Sequence, residues 1–463
     1  MVRLFNVYFP ERTLLLAASE VLLVISALLF TAFLSGNGDF AIMLNFRHGY
    51  LQVFSASVVI MLCMYYCDLY DSDVLASLRE VWIRLVQVVG TACVILALLY
   101  FAFPATRMSR RMFLLGMVVI PVVLMTWRRL FFFLSGSPRF AQRAILVGGG
   151  PWAKSLVSEI SKREEWGIQV FGYVGPPPNA PEMMNGLPRV GEIADLPQLV
   201  DCEHVGRVIL SPSLPQAFAL TEVLPAARKR GTIVQSATDL YEAVVGRIPV
   251  EAFSAGNPLP PTASSTPRGV LIYKRAASIM LSLAALLVTS PFLVLIAIAI
   301  RLGSPGPVIF RQKRIGQNGK VFTLYKFRSM REGADPDGLP RPAQAGDTRV
   351  TRVGRWLRSS RFDELPQLYN VLRGDMAFVG PRPFVPHEEE ECLRSIPFYE
   401  RRLAIKPGAT GWAQIHTGYC ASLEDNIEKL GYDLFYIKNL SVGLDLLTVL
   451  ETVKIMLLGR GAR

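Results

Sequence analysis

The stretch Arg358–Pro383, RSSRFDELPQLYNVLRGDMAFVGPRP, is the most informative part of this chain. It places two adjacent carboxylates, Asp363 and Glu364, between arginines on one side and Arg382, which stands between two prolines, on the other. A guanidinium group can donate two parallel hydrogen bonds to the oxygens of a phosphate. A carboxylate beside it can attack phosphorus or hold a metal ion. The pattern therefore predicts a site for phosphoryl transfer.

The acidic pair also has a purely structural interpretation. It precedes Pro366 and a helical pattern that continues through Leu372, and acidic residues near the start of a helix are stabilised by the helix dipole. Taken alone, the stretch favours helix capping. The two interpretations are compatible, because the same helix end would also attract a phosphate.

The composition indicates a membrane protein. The 463 residues leave room for two or three domains, and 51% of them are hydrophobic. A formal net charge of +12 favours anionic lipid headgroups and anionic substrates over nucleic acid, for which no motif is present. Six cysteines without a CxxC pair, and four histidines, do not suggest a zinc site or a disulfide framework.

Four apolar runs in the first third predict membrane-spanning helices, since about 20 apolar residues cross a bilayer. They are Thr13–Leu34, Leu51–Cys67, Leu85–Phe103 and Met112–Leu124. The first and third runs are long enough to span, whereas the second and fourth are shorter and depend on their flanks. The tryptophan and arginines at 127–129 are expected to anchor the end of the fourth at the headgroups.

The arginines also predict the orientation in the membrane. Those at 128, 129, 139 and 143 follow the fourth run and place its end, and hence the amino terminus, in the cytoplasm. The arginines at 107, 110 and 111 would then lie in an outer loop, against the same tendency. We expect an inner-membrane, multi-pass protein with a cytoplasmic active site.

Strand and helix patterns alternate in the middle of the chain and predict a parallel, Rossmann-like α/β domain. Strands are expected at 143–147, 169–174, 207–210 and 232–235, with a helix from Trp152 to Lys162. Gly148 and Gly150 after the first strand fit the dinucleotide fingerprint GxGxxA. No acidic residue for a ribose ends the second strand, so structural use and nucleotide binding both remain open.

The apolar segment Ser278–Ile300 is long enough to span a membrane but has two unusual features. Ser290 and Pro291 lie at its middle, and an interior proline removes a backbone hydrogen bond and kinks a helix. Basic residues flank both ends, which favours both ends on the cytoplasmic face. A re-entrant helix that enters and returns satisfies both features, and a kinked spanning helix is the alternative.

Further cations surround the acidic pair in the sequence. Arginines recur every third residue from Arg349 to Arg361, which predicts either a helix on a membrane surface or a solvated basic helix. Lys326 and Arg328 in LYKFRSM are expected on one face of a strand. Together with Arg382, these residues describe an anion-binding site beside a nucleophile.

The region from about Arg268 onward resembles the bacterial sugar transferases, the monotopic phosphoglycosyl transferases. The resemblance rests on motifs in matching order, among them GPVIFRQKRIG, YKFRSM, DELPQLYNVLRGDM, VGPRP, KPGATGW and YDLFYIKNLSVGLDL. The layout of the whole chain, four spans followed by a nucleotide-binding-like fold, resembles that of the large members of this family, which initiate exopolysaccharide or O-antigen synthesis.

The resemblance implies transfer of a hexose-1-phosphate from a UDP-sugar to polyprenyl phosphate, such as undecaprenyl phosphate, with release of UMP. Asp363 would be the nucleophile and form a covalent aspartyl-phosphosugar intermediate, while Glu364 would help to bind Mg²⁺. The predicted phosphate- or substrate-binding residues are Arg358, Arg382, Lys326, Arg328 and Arg361. The sugar is not determined by the sequence.

The predicted layout is a four-helix transmembrane region at 1–139, a Rossmann-like domain at 140–256, a linker at 257–267 and a catalytic domain at 268–463. The re-entrant helix covers 276–301, and the middle domain offers a surface for a homodimer. An anchored nucleotide-sugar dehydratase or epimerase would need a Tyr-x-x-x-Lys base, which none of the 15 tyrosines provides. A non-catalytic scaffold of a polysaccharide assembly complex is disfavoured by the intact acidic pair with Arg358 and Arg382.

Overall fold

A computed structural model describes residues 1–4, 6–35, 45, 48–75, 77–135, 142–148, 151–175, 183–184, 186–212, 231–253, 268–334, 347–418 and 422–458. The chain forms two compact units. One comprises Met1–Val2 with Phe9–Gln235, and the other comprises Arg3–Tyr8 with Ser236–Arg463. The predicted linker 257–267 lies outside the described residues.

Apolar helices dominate the first part of the chain. After two short paired strands, β1 (Val2–Leu4) and β2 (Val7–Phe9), come α1 (Glu11–Ser35), α2 (Gly49–Tyr66), α3 (Ser72–Leu75), α4 (Leu78–Ala102) and α5 (Arg110–Ser135). The four predicted apolar runs lie in α1, α2, α4 and α5, each long and apolar enough to cross a membrane. Their facing sides share one core that includes Leu28, Ile60 and Leu85.

The fourth apolar helix is longer than the sequence predicts. It continues past Leu124 to Ser135, and Arg128 in this extension is buried, with 1% of its side chain exposed. Its guanidinium donates to both oxygens of Glu20 on α1, at 2.5 and 2.9 Å, and to the carbonyl oxygen of Leu69 at 2.8 Å. The charge of Arg128 is therefore compensated inside the bundle, and the anchoring of this helix end at the headgroups stays a prediction.

A parallel α/β sheet follows, as predicted. Its strands are β3 (Gln142–Val147), β4 (Ile168–Gly175), β5 (Met183–Met184), β6 (Leu187–Glu192), β7 (Arg207–Leu210) and β8 (Ile233–Ser236), in the order β5-β6-β4-β3-β7-β8. The central strand β3 pairs in parallel with β4 and β7. Helices α6 (Pro151–Ser161) and α7 (Leu196–Cys202) connect strands, and β3 is buried because its run of Ala, Ile, Leu and Val has neighbours on both sides.

The second unit contains the remaining helices and two small sheets. The helices are α8 (Ala237–Val245), α9 (Arg268–Gly303), α10 (Arg352–Ser359), α11 (Gln367–Arg373), α12 (Pro386–Ser395), α13 (Trp412–His416), α14 (Leu423–Lys438) and α15 (Val442–Leu457). The strands β9 (Ile309–Ile315) and β10 (Val321–Phe327) form an antiparallel hairpin, and β11 (Ala377–Val379) pairs in parallel with β12 (Gly408–Thr410).

The long helix α9 is continuous over 36 residues and contains Ser290 and Pro291. The hydroxyl of Ser290 donates to the carbonyl oxygen of Leu287, and the large side chains around this point, such as Leu287 and Val288, are mostly exposed. The helix is therefore continuous through the expected break, although Pro291 has no N–H to donate to the carbonyl oxygen of Leu287. The exposed apolar middle is the part of α9 that suits the interior of a bilayer.

Both ends of α9 pack within the second unit, each against different elements. At one end, Lys274 donates to Asp445 at 2.9 and 3.0 Å and to the carbonyl oxygen of Val379 at 2.8 Å. At the other end, Ile296 and Ile300 are buried in one cluster with β10, α10 and the turn before α11. The fold of the second unit therefore fixes α9 by its two ends.

Candidate active site

The acidic pair lies in a single 3₁₀ turn, Phe362–Glu364, between α10 and α11. Helix α11 begins three residues later, its N-cap is Pro366, and no side chain makes a capping hydrogen bond there. Helix capping therefore does not explain the pair. The turn is held instead by the apolar side chain of Phe362, which packs with Ile300 of α9.

Glu364 is held by two cations. Its Oε1 accepts a hydrogen bond from Lys326 Nζ at 2.9 Å and from Arg382 Nη2 at 3.3 Å. Burial raises the pKa of the Glu364 carboxyl, but the charges of Lys326 and Arg382 more than offset burial and hold this pKa below its usual range. Glu364 is therefore an ionised carboxylate at neutral pH.

The pKa of Asp363 is shifted in the opposite direction to that of Glu364. Burial, followed by the negative charge of Glu364, raises the pKa of the Asp363 carboxyl to about 6. Lys326, Arg358 and Arg382 act against this shift. The two carboxyl groups thus have pKa values moved apart, an arrangement common at sites where adjacent acids take different chemical roles.

Lys326 reaches the pair because its strand is attached to helix α11. Asn370, which is fully buried on α11, accepts a hydrogen bond from the backbone N–H of Tyr325 at 3.1 Å and donates to the carbonyl oxygen of Thr323 at 2.7 Å. One amide side chain therefore joins both sides of the site. In the sequence, Asn370 is an ordinary helical residue, so nothing there marks this role.

The other predicted cations divide into two groups. Arg358 in the last turn of α10 and Arg361, which has a positive φ of 57°, act on the carboxylates through their charge. Arg328 lies just past the end of β10, and its guanidinium donates to Ser304 and to the carbonyl oxygen of Pro305 at 2.7 Å. It therefore holds the segment after α9, and its phosphate-binding role stays a prediction.

Arg314 is a cation of the site that the sequence analysis did not select. Its guanidinium donates to neutral oxygens: to Oε1 of Gln312 at 2.6 and 3.1 Å and to the carbonyl of Pro383 at 3.1 Å. Burial, then the nearby charge of Arg382, lowers the pKa of Arg314 to about 10. Its alternation with Gln312 on β9 is the one signal that could have indicated it.

The donor set fits a magnesium ion that is also held by substrate phosphates. Across the described ranges, no group of three or more His, Cys, Asp and Glu side chains could hold a metal by itself. Mg²⁺ is usually bound through one or two carboxylates together with phosphate oxygens and water. Glu364 supplies one such carboxylate, beside the cations Lys326 and Arg382.

The glycines of the predicted dinucleotide fingerprint are only partly within the described chain. Gly148 follows β3 with a positive φ of 89°, and its N–H donates to the carbonyl oxygen of Val174 at 2.8 Å. Gly150 lies outside the described residues. The weak cofactor-binding prediction for these two glycines stays a prediction.

Comparison with known families agrees with this geometry. The family model described as bacterial sugar transferase matches residues 270–459, and a second one, described as CoA-binding domain, matches 66–228. The first match contains every residue placed above in the acidic site. The second covers most of the parallel sheet.

Curated relatives extend the likeness beyond the catalytic region. The UDP-glucose:undecaprenyl-phosphate glucose-1-phosphate transferase of Escherichia coli (strain K12) is 34% identical over 328 residues, 68% of this chain and 68% of its own length. The protein of the same name from Xanthomonas campestris pv. campestris is 33% identical over 330 residues, 68% and 66% of the two chains. The chain belongs to the bacterial sugar transferase family.

A third relative matches more strongly over a shorter region. The UDP-N-acetylgalactosamine-undecaprenyl-phosphate N-acetylgalactosaminephosphotransferase of Aeromonas hydrophila is 45% identical over 190 residues, 41% of this chain and 45% of its own length. The resemblance drawn from the sequence motifs is confirmed at the level of the family. The names of these relatives specify different sugars, N-acetylgalactosamine in one and glucose in the other two.

Proposed function

We propose that this protein transfers a hexose-1-phosphate from a UDP-sugar to a polyprenyl phosphate, the first step in building a membrane-linked polysaccharide. The observation that carries the proposal is the turn Phe362–Glu364, in which one ionised and one pKa-raised carboxylate lie among phosphate-binding cations. The relatives named above are undecaprenyl-phosphate sugar phosphotransferases, which supports the same donor and acceptor classes.

The reaction divides into two displacements at one phosphorus atom. A carboxylate oxygen of Asp363 attacks the β-phosphorus of the UDP-sugar, the bridging bond from that phosphorus to oxygen breaks, and UMP leaves. A phosphate oxygen of the lipid then attacks the same phosphorus and breaks its bond to Asp363. The carboxylate is regenerated, and the product is a polyprenyl diphosphate sugar.

The cations make this approach of anions feasible. Lys326 and Arg382 neutralise Glu364 and oppose the raised pKa of Asp363, and Arg358 adds to that effect. Mg²⁺, bound through Glu364 and substrate phosphates, would neutralise charge on the diphosphate. Fixed guanidinium and ammonium groups stabilise the transition state because they need no reorganisation when charge moves.

We also propose that α9 is re-entrant and that the site faces the cytoplasm at the inner membrane. A spanning helix would separate its two ends by the bilayer, whereas Lys274 near one end and Ile300 near the other both pack on the second unit. Pro291 lies at the exposed apolar middle, where a bend would return the chain. This arrangement brings a water-soluble donor and a lipid acceptor to one interface.

Cysteine labelling tests this topology. With native cysteines replaced, Gly269→Cys and Gly303→Cys, at the two ends of α9, should both resist an impermeant maleimide on intact spheroplasts and react after lysis. Ser109→Cys, between α4 and α5, is the control expected to react from outside. Labelling of one α9 end before lysis would show that the helix spans the membrane.

The middle domain has a less defined role. Its strand order reverses direction at β3, which supports a Rossmann-like, doubly wound interpretation. Nucleotide binding there and a homodimer through this domain stay predictions. Neither enters the two displacements, since the residues proposed for them all lie within 270–459.

A donor panel tests the proposed reaction and identifies the sugar. Purified protein in polyprenyl phosphate-containing nanodiscs is incubated with UDP-glucose, UDP-galactose and their N-acetylated forms, with Mg²⁺ or with EDTA. We expect one donor to release UMP in step with lipid product, and EDTA to prevent the release. A membrane-anchored dehydratase or epimerase would instead change the sugar without releasing UMP, and a scaffold would do neither.

The pH dependence follows from the raised pKa of Asp363. The attacking group is the carboxylate, so kcat/KM should fall about tenfold per pH unit below about 6, where the Asp363 carboxyl becomes protonated. Arg358→Gln should move this limb to higher pH, because Arg358 lowers that pKa. Arg355→Gln, on an exposed position of the same helix, should leave it in place. If Arg358→Gln leaves the acid limb of the kcat/KM profile in place, the group that titrates there is not Asp363.

A further inference from the structure

The short loop that carries Arg382 is bonded along its whole backbone. The N–H of Gly380 donates to the carbonyl oxygen of Thr410 at 2.8 Å. The next four carbonyl oxygens, from Pro381 to Phe384, each accept a hydrogen bond from a different donor. In order, the donors are Gly408 N, Arg402 Nη2, Arg314 Nη1 and Ile315 N, at 2.9, 2.8, 3.1 and 3.0 Å.

Arg402, the donor to the carbonyl of Arg382 itself, is the most constrained of these groups. Only 3% of its side chain is exposed, and its guanidinium forms ion pairs with Glu389 at 3.2 Å and Asp433 at 3.1 Å. It also donates to the hydroxyl of Tyr399 at 2.8 Å. A buried guanidinium held by two carboxylates cannot turn without leaving charges unpaired, so its remaining N–H groups have fixed directions.

The ring of Phe384, two residues after Arg382, reinforces this placement. The guanidinium carbon of Arg402 lies 4.6 Å from the centre of the Phe384 ring, and Lys429 lies 5.0 Å from the same centre. The backbone of Arg382 is therefore fixed by a guanidinium whose carboxylate partners are Glu389 and Asp433 and not the acidic pair. The side chain of Arg382 extends toward the acidic pair, where its Nη2 donates to Oε1 of Glu364 at 3.3 Å.

We propose that Arg402 is a positioning residue that aims the phosphate-binding guanidinium of Arg382 at the acidic pair. The inference rests on the proposed function, because it takes Arg382 to bind the diphosphate of the donor. Arg402 itself does not reach the substrate. Its contribution is geometric: a displacement of a binding group by about 1 Å can lower a rate on the order of 10²-fold.

A double-mutant cycle separates positioning from general stability. Arg402→Lys keeps the positive charge between Glu389 and Asp433 but replaces the planar fork by a single nitrogen. The affinity for inorganic pyrophosphate with Mg²⁺ is measured by calorimetry for the wild type, Arg402→Lys, Arg382→Gln and the double variant. Arg394→Lys, whose side chain is 83% exposed, is the matched control.

If Arg402 acts through Arg382, Arg402→Lys weakens pyrophosphate binding about tenfold in the wild type and less than twofold in the Arg382→Gln background. An equal loss in both backgrounds, or no loss in the wild type, overturns the proposal. Asp433→Asn, which loosens the same guanidinium, replaces Arg402→Lys if that variant does not fold. The same criteria then apply.

UMP release is measured on the same preparations, so that a failure of the positioning role can be told apart from a failure of the proposed reaction. A wild type that binds pyrophosphate but releases no UMP from any donor refutes the transferase reaction, while the binding cycle still decides the role of Arg402. If the wild type releases UMP but the effects of Arg402→Lys and Arg382→Gln on pyrophosphate affinity are additive, only the positioning role of Arg402 is refuted.

Discussion

Replacing Asp363 by asparagine is expected to lower the rate of UMP release by about 10⁴-fold or more. The asparagine keeps the size of the side chain, and its turn is still held by Phe362 on α9. It removes only the oxygen that would bond to phosphorus, so donor binding should change little. Turnover is measured by coupled detection of UMP with saturating donor and lipid.

Two further variants define what this result means. Glu364→Gln should retain a nucleophile and reduce the rate by less, while weakening the dependence on Mg²⁺. Glu390→Gln, whose side chain is 67% exposed on α12, should behave as wild type. An Asp363→Asn protein that keeps more than about a tenth of wild-type turnover would show that this carboxylate is not the attacking group.

Removing one partner of the buried ion pair in the membrane region is expected to destabilise the helical bundle by about 3–5 kcal/mol. Glu20→Ala leaves Arg128, with 1% of its side chain exposed, as an uncompensated charge between α1 and α5. The free energy of unfolding is followed by thermal and denaturant titration in nanodiscs. Expression in the membrane should fall in parallel.

The matched double variant shows whether charge imbalance is the cause. Glu20→Met combined with Arg128→Met removes both charges and should recover most of the loss, because well-packed apolar side chains can replace a buried pair. Arg129→Met, on the exposed neighbouring position, should have little effect. Equal destabilisation by the single and double changes would mean that shape, and not charge, is what the pair contributes.

The local pattern of the sequence was sufficient to predict the acidic pair, the four apolar helices and the parallel sheet. Each of these depends on residues close together along the chain, such as the adjacent Asp363 and Glu364. The roles of Arg128 and Arg402 depend on partners distant in sequence, including Glu20 and Asp433. Composition and spacing contain no record of such pairs.

Three cations show how far sequence periodicity can predict the direction of a side chain. Lys326 and Arg328 alternate as expected for one strand face, yet β10 ends at Phe327, and Arg328 binds the segment after α9. Arg314 was passed over because its alternation with Gln312 on β9 does not by itself distinguish it from a surface cation. The direction of a long side chain is decided by which oxygens lie within its reach, and only the tertiary structure supplies them.

Mass spectrometry of the protein after reaction with the UDP-sugar chosen by the donor panel, without lipid acceptor, tests the central claim most directly. The account predicts a stoichiometric gain of one hexose-phosphate on the peptide that contains Asp363, and its disappearance when polyprenyl phosphate is added. UMP release in step with lipid product but without any such adduct, or an adduct on a different side chain, would contradict it.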